Sequence, residues 1–112
     1  MSGEYFQGNI GNRNKFDKLL PGLVITTQIL QQQVTVGNVP TLIPTTPIQA
    51  RHSLLIQNVS SNPIYIGSST VAVADGYPIY PRGQILIQIE DTIDLYGISA
   101  AGGDNIRILE GA

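Results

Sequence analysis

The sequence has no cysteine and no tryptophan, and a single histidine. Without cysteine there is no disulfide and no thiolate metal site, and the redox compartment is left open. Charge is scarce as well. Asp, Glu, Lys and Arg make up 12% of the 112 residues, about half the share usual in a soluble domain. The formal net charge is -2, so there is no broad electrostatic case for nucleic acid or an acidic membrane. Arg13, Lys15 and Lys18 form a small basic group, which is a weak nucleic-acid signal. No apolar run approaches the ~20 residues of a membrane-spanning helix. The opening MSGEYFQGNIGNRNKF lacks the basic start and apolar centre of a signal peptide, so synthesis without Sec export is expected. Helical periodicity is missing too. The one candidate, Gly22 to Gln33, places Val24, Ile25, Ile29 and Leu30 near i, i+4 spacing, but its Thr and β-branched content argues against a helix.

What is present is β-character. Hydrophobic residues reach 42%, enough for one modest domain with a real core. From Arg51 to Ala112, short alternating runs recur between Gly, Pro, Asn and Asp turns. Leu54 and Ile56 share one face of Ser53 to Val59, and Ile64 and Ile66 flank Tyr65. Thr70 to Val73 reads as a strand turning at Asp75-Gly76. Ile85, Ile87 and Ile89 share a face of Gln84 to Glu90, with Leu86 on the other. Ile93 to Ser99 follows, then Ile106 and Ile108 around Arg107. Regular short strands of this kind predict an all-β fold, a small antiparallel sandwich or barrel of jelly-roll type.

Two zones precede that domain. Residues 1–20 are polar and Gly/Asn-rich without period, so they read as an extended arm. Leu19 to Ala50 carries no charge and holds Pro21, Pro40, Pro44 and Pro47. Gln33 to Val36 and Thr41 to Ile43 look like strands there, broken at prolines as at sheet edges. Residues 21–50 are thus either a linker with edge strands or a surface between subunits; 21–112 reads as one domain. An exposed, uncharged, β-prone stretch is an aggregation hazard in a monomer. On that argument Leu23, Ile25, Ile29, Val34, Val36, Leu42 and Ile43 are the candidate oligomer interface.

Chemistry is sparse. His52 has Ser53, Ser60 and Asp75 as compositional partners, but no nucleophile elbow surrounds them, and a strand-edge histidine is the plainer reading. Glu90, Asp91 and Asp94 fall short of a calcium loop. Glu90 and Asp91, as strand neighbours, point to opposite faces and do not form a glycosidase pair. Asn58-Val59-Ser60 matches a glycosylation sequon. No glycine-rich phosphate loop appears. No catalytic constellation, metal or cofactor is expected. Tyr77, Tyr80 and Arg82 group in one loop, either as packing at the end of the barrel or as a surface that binds sugar or protein.

The segments VTVG (34–37), PTLIPTTP (40–47), SLLIQNVSSNPIYIG (53–67), LYGISA (95–100) and IRILE (106–110) together resemble a small all-β module of tailed-bacteriophage virion proteins, among them head decoration (cement) proteins and fibre components. The resemblance spans about 34–110. It implies a structural virion role without fixing the part of the particle. The short, single-module chain without a repetitive shaft favours the outer capsid surface, with a closed homo-oligomer, a trimer favoured, and the major capsid protein as partner. It transfers no active site. A fibre or tail-tip module that binds host glycans is the alternative.

The arm fits such a role energetically. Burying Tyr5, Phe6, Phe16, Leu19 and Leu20 contributes roughly 1.5–3 kcal/mol each, while ordering some 20 residues costs about 1–2 kcal/mol each. Docking on a partner reverses that balance only if it adds hydrogen bonds and burial. Tyr5, Phe6, Ile10, Arg13, Lys15, Phe16, Leu19 and Leu20 are therefore the expected capsid anchor.

Overall fold

In the run SLLIQN, Leu54, Ile56 and Asn58 share one face, and the chain buries that face. Leu54 and Ile56 are fully buried while Gln57 faces solvent. A computed structural model describes residues 27–112 and shows the same logic repeated in eight strands. They are β1 (Ile29–Val36), β2 (Thr41–Leu42), β3 (Ser53–Asn58), β4 (Ile64–Gly67), β5 (Tyr77–Ile79), β6 (Gln84–Gln88), β7 (Tyr96–Ile98) and β8 (Asp104–Gly111). No helix occurs among the described residues.

The pairing follows one rule. The first strand pairs with the eighth, the second with the seventh, the third with the sixth and the fourth with the fifth, all antiparallel. Contacts between β3 and β8, and between β4 and β7, then join the ribbons into two four-stranded sheets, ordered β1-β8-β3-β6 and β2-β7-β4-β5. A long antiparallel ribbon wound around itself in this way is a jelly roll.

Alternation in both sheets fills the space between them. Val36, Leu54, Ile56, Ile106 and Ile108 come from one sheet, and Ile64, Ile66 and Ile79 from the other; Ile43, just after β2, completes the cluster. β-branched residues dominate because a branched side chain suits the pleat and loses little rotamer freedom there. Each contributes about 1.5–3 kcal/mol on burial. Gly97 of β7 lies against this cluster: a Cβ there would stand 2.5 Å from Cδ1 of Ile43.

Because strands alternate in direction, the loops after β1, β3, β5 and β7 gather at one end. Those after β2, β4 and β6 gather at the other. Buried polar groups tie each end. At the first, Asn58 donates from Nδ2 to the carbonyls of Asn62 (2.7 Å) and Ile79 (2.8 Å). Asp104 accepts from Asn62 Nδ2 at 3.1 Å and from the hydroxyl of Ser99. At the second end Arg51, fully buried, donates to Glu110 Oε2 (3.0 Å) and to the carbonyls of Ile89, Glu90 and Ile93. The amide of Ile48 donates to the same Glu110 oxygen at 3.2 Å.

Three readings of the sequence change. Thr70 to Val73 forms no strand. Local turns take its hydrogen bonds instead, with Val71 N–H donating to Ser68 O and Ala72 N–H to Asp75 Oδ1. The strand read at Gln33 begins at Ile29, because β8 offers an eight-residue partner along the whole length. Finally, Val36 (0% exposed) and Ile43 (1%) do not belong to an oligomer interface. Both fill the core of their own chain, and a side chain without exposed area has none to offer another copy. Part of the charge-free stretch is therefore uncharged because it lies inside the sandwich.

Candidate binding surface

Asn58 shapes the surface that carries the Tyr77, Tyr80 and Arg82 candidates. Its main chain accepts from Arg82 N–H at 2.9 Å and donates to Gly83 O at 2.9 Å, while its side chain holds Ile79 O. The segment Tyr80-Pro81-Arg82-Gly83 is thereby clamped to the end of β3. Within it Gly83 N–H donates to Tyr80 O at 2.8 Å. Pro81 sets the first corner and Arg82 takes φ 67° at the second, the geometry of a type II turn. Glycine or asparagine usually fills that second corner, since a Cβ crowds the left-handed region. Gly83 is needed for space: a Cβ there would meet Tyr80 O at 2.9 Å.

The turn leaves its aromatic neighbours outside. Tyr77 and Tyr80 are 62% and 63% exposed. They line a shallow groove of about 190 Å³ with Pro78, Ile79, Gly83, Gln84 and Ile85, where β5 of one sheet passes to β6 of the other. Arg82 is exposed at the tip of the turn and is not part of the groove wall. Its guanidinium has no partner among the described residues. The structure thus brings the two tyrosines together and sets the arginine beside them. Tyr77 on β5 and Tyr80 on the hydrogen-bonded turn present flat side chains with few rotatable bonds, which provide contact area at low entropic cost.

The other candidates fall elsewhere. The anchor residues Tyr5, Phe6, Ile10, Arg13, Lys15, Phe16, Leu19 and Leu20, and Leu23 and Ile25 of the interface set, lie outside the described residues. Ile29 is 46% exposed, whereas Val34 and Leu42 are half-buried. His52 is exposed, and its main chain bridges Gly111 and Ile89. Ser60 and Asp75 sit in loops at opposite ends of the sandwich, so they do not meet around His52. Asp91 accepts from Ala50 N–H at 2.9 Å, which makes it a loop fastener. No group of three or more metal-ligating side chains converges among the described residues. The sequon asparagine, Asn58, is fully buried with both amide hydrogens engaged, so no glycan can reach it in the folded chain.

The sequence did not expose the Arg51–Glu110 pair, although a signal was present. Glu110 has the same strand parity as Ile106 and Ile108, which places its carboxylate on the inward face. An inward carboxylate needs a buried cation or several donors. No family model matches the chain, and no curated protein or solved structure matches it significantly.

Proposed function

We propose that the protein is a structural component of a tailed-bacteriophage virion, a decoration (cement) subunit that bridges neighbouring major capsid subunits. The observation that carries this reading is the jelly-roll winding, fastened at both loop ends by buried polar groups. This architecture recurs in viral shell domains, although a fold alone does not assign a role. The segments that resemble the virion module coincide with most of the strands: 34–37 ends β1, 53–67 spans β3 and β4, and 106–110 lies in β8. A rigid body of this kind suits a subunit whose task is to add contacts to a shell. No catalytic role is assigned to it. Oligomeric closure would cover the uncharged exposed positions, and the resemblance favours a trimer.

The test is binding to particles. Purified protein mixed with undecorated capsids should sediment with them at a fixed copy number, and deletion of residues 1–18 should abolish that binding while the β-domain stays folded. A truncated chain that still decorates capsids normally would remove the arm from the proposal. A second reading is favoured by the exposed pair Tyr77 and Tyr80: a fibre or tail-tip module that stacks a host sugar on these rings. In that case host cells rather than capsids would deplete the protein, and Tyr77→Ala with Tyr80→Ala would prevent it.

A further inference from the structure

A sandwich of two four-stranded sheets has four edges, and three of them are blunted here. β2 has two residues between Pro40 and Pro44. β5 has three and contains Pro78. β6 has five, entered from the Pro81–Gly83 turn and followed closely by Glu90 and Asp91. The fourth edge is β1, ILQQQVTV, eight residues long with no charge, proline or glycine. Natural edges of that length usually carry at least one guard against pairing. Among the described residues nothing covers it.

We infer that β1 is a two-fold interface on which a second copy of the chain adds its own β1, antiparallel, to make one continuous eight-stranded sheet. The backbone gives the register. Gln28 and Ala112 exchange both main-chain hydrogen bonds, at 3.3 and 2.9 Å. Antiparallel alternation then directs Leu30, Gln32, Val34 and Val36 toward β8. The N–H and C=O groups of Ile29, Gln31, Gln33 and Thr35 point out of the sheet edge. One register uses all of them: Ile29 opposite Thr35 of the other copy, Gln31 opposite Gln33, and the converse pairs. Each such pair makes two hydrogen bonds.

The side chains accept that register. Gln31 meets Gln33 on the outer face, and Leu30, 38% exposed, meets Val34 on the inner face. The two-fold axis passes through Gln32. No like charges come face to face. The nearest cation, Arg107, is one strand back and bonds Gln33 Oε1 at 3.2 Å. Its symmetry mate lies three strand spacings away, roughly 14 Å, beyond a physiological Debye length of ~8 Å. The contact is two-fold, so it either pairs monomers or joins two trimers, and it does not depend on the virion reading.

Three proteins test it. The wild-type chain should sediment at a mass that Gln33→Pro halves. The proline removes an outward N–H and leaves the β8 ladder intact, so the melting temperature of the remaining species should stay close to that of wild type. In this cysteine-free chain, Gln32→Cys should oxidise to a disulfide-linked dimer far faster than Gln57→Cys, which sits mid-sheet on the outer face. The pairing sets the two Cα atoms of residue 32 about 4.5 Å apart, within disulfide range. A monomeric wild-type chain, a mass that Gln33→Pro leaves unchanged, or equal crosslinking at 32 and 57 would each overturn the inference. If Gln33→Pro fails to fold, the cysteine comparison decides.

Discussion

Arg51 and Glu110 hold one end of the sandwich, and neither has any exposed side-chain surface. Glu110 Oε1 has no hydrogen-bond partner among the described residues, so this carboxylate leans on Arg51 and Ile48 alone. Removing one member of a buried pair leaves the other charged and uncompensated. Arg51→Ala and Glu110→Ala should each lower unfolding free energy by about 3–5 kcal/mol, read by urea denaturation. A loss below 1 kcal/mol would mean that the end is not fastened there. Arg82 presents the opposite case. Its left-handed backbone is a place where glycine costs less, so Arg82→Gly should raise stability by up to about 1 kcal/mol while weakening any ligand that needs the guanidinium. A stability loss instead would show that the arginine side chain makes a stabilising contact.

At the scale of strands, much was legible from parity alone. Ser53 to Asn58, Ile64 to Gly67, Gln84 to Gln88 and Asp104 to Gly111 follow the alternation seen in the sequence. The stretch 70–73 misled because Thr and Val favour strands generally, whereas here Ser68 and Asp75 offer nearer acceptors for its amides. The length of β1 was hidden for a different reason. Ile29 to Gln32 is extended because β8 lies beside it, a contact about 80 residues away in sequence that no local pattern reveals. Asn58 read as a sequon because its burial depends on a turn formed by Tyr80 to Gly83. The parity of β1 can be checked directly. Val34→Pro should remove a ladder bond to β8 and cost about 3 kcal/mol or more, while Gln33→Pro should leave thermal stability nearly unchanged. Equal losses at both positions would refute the assigned register.

For the whole molecule, the shortage of charge has two sources. Some uncharged residues are core, as Val36, Ile43 and Ile48 are. Others remain on the surface: Ile29, Val39, Val59, Val73 and Ile93 are each more than a third exposed. Scattered apolar residues need no explanation; Ile93 stands beside Glu90, Asp91 and Asp94, whereas Ile29, Val39 and Val59 have no charged residue within three positions in sequence. In the virion proposal these positions are the ones that copies of the chain or a larger assembly would cover. The most direct measurement is the protein content of purified phage particles from cells that make this chain. A structural virion role predicts the chain in intact particles at a fixed copy number per capsid, retained through density-gradient purification. Its absence from those particles, with all of it left soluble in the lysate, would contradict the account.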